Sequence, residues 1–246
     1  MNRIEVLDCP MDVATMDDTV RIIAERVEKK YFTQHVVVNV AKVVNMHKDS
    51  TLDKSVRACE IINIDGMGVV LGARLLGYDI PERVAGIDLF HCLLQMSTER
   101  GYPVFLLGAK DEVVTDACHR IEELYPNLIV AGHHHGYFWE DEAGVVKEIK
   151  ESGARLLFVA ITSPKKENFI NRWQAQLGID FVMGVGGTFD VVAGRVKRAP
   201  NWMQKYGLEW LYRIIQEPRR MWKRYLVTNS IFLWLLLKEK TKQILQ

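Results

Sequence analysis

Short apolar runs alternate along this chain with longer segments in which apolar residues recur every three or four positions. A run of four to eight apolar residues has the length of a buried strand, whereas the three-and-four spacing is typical of a helix with one buried face. The predicted strands are His35–Val40, Cys59–Ile64, Pro103–Leu107, Leu128–Ala131, Arg155–Ile161 and Asp180–Gly184. The clearest predicted helices are Ile87–Arg100, Asp111–Leu124, Glu142–Glu151 and Lys165–Leu177.

This alternation predicts an α/β fold. Strands that are apolar throughout are usually covered on both faces, which is typical of a mostly parallel sheet with helices on both faces. Such sheets bind ligands at the carboxyl ends of their strands. The residues that directly follow each strand are therefore the first candidates for a functional site.

The C-terminal fifth of the chain differs from the rest in charge. Residues 195–246 carry 12 Lys and Arg against 3 Asp and Glu, a net charge of +9, whereas residues 1–194 carry 20 against 28, a net charge of −8. The whole-chain value of +1 hides this separation. We predict a catalytic, donor-binding domain over residues 1–194 and a basic helical appendage over residues 195–246.

Aromatic residues are interleaved with the basic ones at the start of the appendage. They are Trp202, Tyr206, Trp210, Tyr212, Trp222 and Tyr225. A basic, aromatic and amphipathic segment is typical of a chain that lies on an anionic membrane or closes over a phosphorylated ligand. The alternative is a C-terminal pair of helices packed on the domain with solvated arginines. We find no nucleic-acid-binding motif and expect no nucleic-acid partner.

The ends of the chain predict a cytoplasmic address. The first residues contain early acidic side chains and no long apolar region, unlike a signal peptide. The apolar run Tyr225–Leu237 is shorter than the roughly 20 residues that span a bilayer, so we expect it to dip into a membrane without crossing it. Four separated cysteines, without a CxxC pair, are interpreted as reduced thiols.

Glycines and polar residues cluster after the predicted strands. The segments are Asn39, 65–68 (DGMG), 108–110 (GAK), 132–137 (GHHHGY), 162–164 (TSP) and 184–190 (GVGGTFD). Glycines there allow tight turns that bring backbone N–H groups against a ligand, often a phosphate. The pattern is typical of a nucleotide pocket. Neither GxGxxG nor GxxxxGK[ST] occurs, which argues against a dehydrogenase or a P-loop ATPase.

Asp65 is the most informative single residue, because it ends an apolar strand and begins a glycine turn. Its carboxylate could act as a general base. It could also cap the helix that begins near Met67, which is the commoner role for an aspartate in this setting.

The three histidines 133–135 raise the question of a metal. Adjacent residues on one loop rarely point at one ion, and a DxD motif for a divalent ion is absent, so we expect no metal and no cofactor. The charge of a phosphorylated ligand would then be met by Arg83, Lys110 or the basic C-terminus.

Several longer segments resemble the WecG/TagA/CpsF family, glycosyltransferase family 26. They are DGMGVV (65–70), ERVAGIDL (82–89), FLLGAKDEV (105–113), GYF (136–138), SPKKE (163–167) and GVGGTFDVVAGRVKRAPNWMQKYGLEWLYRIIQEPRR (184–220). The resemblance implies a Rossmann-like body and a membrane-associating appendage that completes the site. It also implies transfer of a sugar from a UDP-sugar to a polyprenyl-diphosphate-linked saccharide in bacterial surface polysaccharide synthesis. A non-catalytic nucleotide-binding peripheral membrane protein of the same pathway is the alternative.

The resemblance assigns roles to individual residues. It makes Asp65 the catalytic base and Arg83 the group that stabilises the leaving diphosphate, with inversion in one displacement. The predicted donor-binding residues are Asn39, Gly108, Ala109, Lys110, Tyr137, Lys166, Glu167, Gly186, Gly187 and Asp190. The predicted acceptor-binding residues are Arg213, Arg220 and Arg224. The expected location is the inner face of the plasma membrane, on its anionic surface, and a homo-oligomer is kept as an alternative to a monomer.

This chain departs from the family pattern at two positions. Lys166 stands where the family usually has Gln, and Val37 stands where it commonly has Thr. Both changes lie in the predicted donor-sugar pocket. A lysine suits a carboxylated donor such as a uronic acid, or a different pattern of hydroxyls. The alternative is that Lys166 is a solvated surface residue.

Overall fold

A computed structural model describes residues 1–245, with every side chain except that of Arg220. Its strands are β1 (Asn2–Val6), β2 (Cys9–Val13), β3 (Thr33–Val38), β4 (Ile61–Ile64), β5 (Val104–Gly108), β6 (Val130–His134), β7 (Leu156–Ala160) and β8 (Phe181–Gly184). Its helices are α1 (Met16–Glu28), α2 (Val40–Met46), α3 (Ser50–Arg57), α4 (Met67–Leu75), α5 (Gly86–Arg100), α6 (Asp111–Leu124), α7 (Glu142–Glu151), α8 (Lys165–Trp173), α9 (Thr188–Val192), α10 (Asn201–Lys205), α11 (Glu209–Gln216) and α12 (Pro218–Leu245).

Six strands form one parallel sheet in the order β4-β3-β8-β7-β5-β6. One face of the sheet packs on α1, α5, α6 and α9, and the other face packs on α2, α3, α4, α7 and α8. The predicted α/β fold with helices on both faces is therefore confirmed. Because all six strands point the same way, the loops that follow them share one edge of the sheet.

The boundaries of some predicted elements are wrong by a few residues. The predicted strand His35–Val40 ends at Val38, because Asn39 caps α2 and Val40 already belongs to that helix. The strand predicted at Leu128–Ala131 lies at Val130–His134, so two of the three histidines belong to β6 and not to a loop.

The N-terminal hairpin β1–β2 is tied to the sheet by a buried carboxylate. Asp12 accepts hydrogen bonds from Arg3 Nε at 2.8 Å and from the Ile62 backbone N–H at 2.7 Å. The cost of burying the charge of Asp12 is offset by the Arg3 guanidinium and the Ile62 amide. The hairpin thus covers the β4 side of the core.

The appendage packs on the body through α12. Phe232 and Leu236 are buried in the cluster formed by β3, β4, α2 and α4, and a Cβ atom on Gly72 of α4 would lie 3.0 Å from the Phe232 ring. This close approach explains a glycine inside α4. Among residues 1–245, the structure contains no helix that is both long and apolar enough to cross a membrane.

Candidate active site

The ends of β3 and β4 bring Asn39 and Asp65 together. A Cβ atom on Gly66 would lie 3.1 Å from Asn39 Cβ, and one on Gly68 would lie 2.8 Å from Val40 Cγ2. The turn after Asp65 therefore needs glycines because it lies directly against the turn that contains Asn39. The Asn39 Oδ1 accepts a hydrogen bond from the Lys42 backbone N–H at 3.0 Å and so caps α2.

Arg83 is brought to the end of β4 by a backbone hydrogen bond of the residue that follows it. The Val84 N–H donates to the Ile64 carbonyl at 2.9 Å, which places residue 83 beside the end of β4. The Arg83 side chain is only 13% exposed. A predicted base and a predicted diphosphate-binding cation, 18 positions apart in the sequence, thus share one corner of the site.

Asp65 does not cap α4. The N-cap residue of that helix is Gly66, and among the described residues no side chain caps the helix. Burial raises the pKa of Asp65, while the charges of Arg83 and Arg213 and the Gly86 amide act in the opposite direction and the charge of Glu209 adds to the rise. A half-buried carboxylate with a raised pKa that feels the charges of two arginines has the properties of a general base for a reaction on an anionic substrate.

The appendage supplies charged groups to this corner. Glu209 Oε2 lies 2.5 Å from Arg83 Nη1, and Arg213 lies one helical turn further along α11. Since α11 belongs to the appendage, the site contains residues from both predicted parts of the chain. Of the predicted acceptor residues, Arg213 lies close enough to influence Asp65, Arg224 is exposed on α12, and the side chain of Arg220 lies outside the described residues.

Lys166 and Glu167 lie in a buried cluster with Lys42. Glu167 Oε1 is 2.7 Å from Lys42 Nζ and 3.6 Å from Lys166 Nζ. All three side chains are buried, so the interpretation of Lys166 as a solvated surface residue is wrong. The two lysines lower the pKa of Glu167 to about 2 against its burial, and burial with the Lys42 charge lowers the pKa of Lys166 to about 8.

The predicted nucleotide-binding residues lie at the other end of the same edge. Gly108 and Ala109 both have positive φ, and a Cβ atom on Gly108 would lie 2.5 Å from the Ala160 carbonyl oxygen of β7. The Gly136 N–H donates to the Ala109 carbonyl at 2.8 Å, which keeps the exposed Tyr137 beside the same turn. The exposed Lys110 precedes α6.

A change of direction in the sheet makes this turn a suitable crevice. The chain leaves β5 toward the neighbouring β6, with α6 on one face, and leaves β7 toward β8, with α8 on the other face. Ligands of open α/β sheets bind where neighbouring strands diverge in this way. Gly186, at φ 55°, Gly187 and Asp190 follow β8 and lie between this crevice and the Asp65 corner.

Helix N-termini around the edge are left without side-chain caps. In the described part of the chain this holds for α4, α5, α6, α8 and α9. In α5 the first N–H, that of Gly86, donates to Asp65, whereas no described side chain caps the positive ends of the other four helices, which therefore suit anions. The arrangement suits a ligand that carries phosphates along the edge of the sheet.

Metal ligands are not grouped in the structure. Within residues 1–245 no three His, Cys, Asp or Glu side chains are close enough to hold an ion together. His133 Nε2 lies 3.4 Å from Thr115 Oγ1, and His134 Nδ1 lies 2.8 Å from the His135 carbonyl oxygen. Independence of a metal stays a prediction.

Comparison with known proteins decides the family. The model of the glycosyl transferase WecG/TagA/CpsF family matches residues 4–246. The chain belongs to this family. The prediction made from the motifs is thereby confirmed, and the protein is a glycosyltransferase.

Two relatives carry names that state their activity. Both are called N-acetylglucosaminyldiphosphoundecaprenol N-acetyl-beta-D-mannosaminyltransferase. The one from Bacillus subtilis (strain 168) is 36% identical over 221 residues, which cover 88% of this chain and 86% of the relative. The one from Bacillus spizizenii (strain W23) is 36% identical over 169 residues, which cover 69% of this chain and 65% of the relative.

Three charged residues of this WecG/TagA/CpsF protein were not predicted for the site. Lys42 pairs with Glu167 across 125 positions, and Glu209 pairs with Arg83 across 126. Arg198 donates two hydrogen bonds to the Asp88 carboxylate, 110 positions away in the sequence. Pairs so far apart leave no periodic signal in the sequence. Two of their partners, Glu167 and Arg83, were already predicted for the site. The only hint in the sequence was that each of these charged residues would need a partner of opposite charge when buried.

Proposed function

We propose that this protein transfers a sugar from a UDP-sugar to a polyprenyl-diphosphate-linked saccharide with inversion at the anomeric carbon. The observation that supports this most strongly is the half-buried Asp65 within the electrostatic influence of Arg83 and Arg213, at one end of an edge lined by glycine turns and uncapped helices. Family membership argues against a protein that binds a nucleotide without chemistry.

The proposed reaction is a single displacement. Asp65 takes the proton of the acceptor hydroxyl while that oxygen attacks the anomeric carbon of the donor. The bond between this carbon and the diphosphate oxygen breaks, and its electron pair leaves with UDP. Arg83 and free N–H groups at the helix N-termini stabilise the charge that develops on the diphosphate.

The names of the relatives suggest the substrates. The Bacillus subtilis relative transfers N-acetyl-β-D-mannosamine to N-acetylglucosaminyldiphosphoundecaprenol, according to its name. We propose an acceptor of the same kind for this chain, an amino sugar linked through a diphosphate to a polyprenol. The donor is proposed to be an N-acetylmannosaminyl-, glucosyl- or glucuronosyl-type UDP-sugar, with Lys166 deciding between neutral and carboxylated sugars.

The proposed place of action is an anionic membrane surface. The appendage exposes large apolar side chains on the sides of α12 that do not pack on the body, among them Trp222, Leu226, Leu233, Trp234 and Leu237. Lys223 and Arg224 are exposed on the same helix. Exposed apolar side chains flanked by cations are typical of a helix that lies in a membrane interface. Docking there would bring α11 and its Arg213 to the lipid-linked acceptor.

A transfer assay tests the proposal. The full chain is incubated with a short-chain polyprenyl-diphosphate N-acetylglucosamine and, in separate reactions, with UDP-linked N-acetylmannosamine, N-acetylmannosaminuronic acid, glucose and glucuronic acid. We expect one lipid-linked disaccharide and an equal amount of UDP, with the same rate in EDTA. If no donor yields a lipid-linked product, the proposed reaction is wrong. Loss of product in EDTA would contradict the metal-independent mechanism.

A further inference from the structure

Two arginines meet one appendage carboxylate next to Asp65. Glu209, in the first turn of α11, has Oε2 2.5 Å from Arg83 Nη1 and Oε1 3.7 Å from Arg198 Nε. Arg198 donates two hydrogen bonds, of 2.6 and 2.7 Å, to the carboxylate of Asp88 in α5. Four charged side chains of alternating sign therefore form a row. It begins at Asp88 in α5, continues through Arg198 and Glu209 of the appendage, and ends at Arg83.

Helix α11 makes a charged contact with the body through Glu209 and buries none of its own side chains fully. Of its residues Glu209–Gln216, all of which are described, none is fully buried, and Ile215 is 65% exposed. Its other end is fixed by a hydrogen bond of 2.8 Å from Gln216 Nε2 to the Lys197 carbonyl, within the appendage. The Arg83–Glu209 pair is 13% and 23% exposed and is thus less screened by salt than a surface pair.

The orientation of α11 determines where Arg213 lies. Residues 209 and 213 are four apart and share one face of the helix. Just before the helix, Gly207 has φ 71°, and a Cβ atom there would lie 2.5 Å from Cγ of Met67. Since Met67 follows Asp65 by two positions, the start of α11 lies directly against the segment that carries the predicted base.

We propose that Glu209 is a positioning residue for the transfer reaction. Its carboxylate docks α11 on the body directly through Arg83, and indirectly through Arg198 of the appendage, which is itself paired with Asp88 of α5. This contact fixes the Arg83 guanidinium for the leaving diphosphate and keeps Arg213 where its charge acts on Asp65. Glu209 itself touches neither substrate.

Amide hydrogen exchange of the full chain, without any ligand, tests the docking step independently of activity. Glu209→Gln keeps the size of the side chain and removes its charge. We expect the α11 amides to exchange about tenfold faster in this variant, a change of about 1.4 kcal/mol, because a partly buried charged pair is lost. The control is Asp116→Asn, which removes the equally short 2.5 Å pair with Arg195 and leaves the charges of Arg83, Glu209 and Arg198 in place. Equal α11 exchange in Glu209→Gln and the wild type would overturn the proposal.

The pH dependence of transfer tests the positioning step, and this arm rests on the proposed function. We expect Glu209→Gln to lower kcat/KM by about 10- to 100-fold. The acidic limb of its pH profile should also move to lower pH. The reason is that the negative charge of Glu209 raises the pKa of Asp65 and acts more strongly than the opposing charge of Arg213.

A further variant distinguishes a positioning role of Glu209 in the reaction from a purely structural role. Glu209→Asp keeps the charge, so its acidic limb should stay close to that of the wild type. An unmoved limb in Glu209→Gln would overturn the proposal even if its activity fell. If the wild-type protein transferred sugar from no donor, the proposed function would fail, and the hydrogen-exchange experiment alone would decide the role of Glu209.

Discussion

Lys42 Nζ and Glu167 Oε1 lie 2.7 Å apart in the interior of the protein, although 125 positions separate the two residues. Lys42 thus neutralises the carboxylate of Glu167, and Lys166 Nζ is 3.6 Å from the same oxygen. The buried cluster therefore carries one positive charge in excess. Buried charges need a partner, so the cluster is suited to an anionic group of a ligand.

Lys166→Gln tests whether that ligand group is a donor carboxylate. We expect the variant to lose about 10- to 100-fold in kcat/KM with a carboxylated UDP-sugar and much less with its neutral counterpart, since a charged hydrogen bond contributes about 1.5–3 kcal/mol. Steady-state kinetics with both donors measures the difference. Lys165→Gln is the matched control, because Lys165 is the exposed neighbour and its Nζ lies 4.9 Å from the Trp139 ring centre. Equal losses with both donors would exclude a carboxylate partner.

The same lysine predicts a pH effect on donor choice. Its pKa is lowered to about 8, so the ammonium group is charged below that pH and neutral above it. Any preference for a carboxylated donor should therefore decline as the pH rises from 7 to 9. The ratio of kcat/KM values for the two donors measures this decline. In Lys166→Gln the ratio should be constant over this range, and a decline that persisted there would assign the titration to another group.

Local sequence patterns predicted the parallel sheet well. Helices α6 and α7 begin and end at the predicted residues, because both carry a regular apolar face and end near a turn. The hairpin β1–β2 was not predicted. Its turn places Leu7 and Asp8 at positive φ without the glycine that usually marks such a turn. The position of Asp65 followed from the strand that precedes it, whereas Glu209 and Lys42 reach the site through tertiary contacts that no local pattern contains.

Phe232 tests how firmly α12 is packed on the body. Phe232→Ala should lower the free energy of unfolding by about 3–5 kcal/mol, because this buried ring fills the space above Gly72. Leu233 is 55% exposed, and Leu233→Ala should change the stability by less than about 0.5 kcal/mol. Denaturant unfolding measures both values. A loss below about 1 kcal/mol for Phe232→Ala would mean that α12 is not part of the cooperative fold.

Vesicle binding tests the membrane face of the appendage. The wild-type protein should bind vesicles that contain anionic lipid, and binding should weaken with salt, since each Lys or Arg near the surface contributes about 1 kcal/mol that ions screen. The double variant Trp222→Ser and Trp234→Ser should bind less tightly and keep the fold, because both rings are exposed. Sedimentation with vesicles measures the affinity. Binding that is independent of both salt and these rings would contradict docking through this face.

Asp65→Asn is the most direct test of the proposed reaction. The asparagine has nearly the same shape and lacks the basic oxygen, so UDP binding and folding should match those of the wild type. Transfer to the lipid-linked acceptor should fall at least about 100-fold, because removal of a general base typically costs 10²–10⁴-fold. The measurement is the rate of lipid-linked disaccharide formation at saturating donor, with UDP affinity determined by calorimetry on the same preparations. A variant that binds UDP normally and transfers sugar at the wild-type rate would show that Asp65 is not the base.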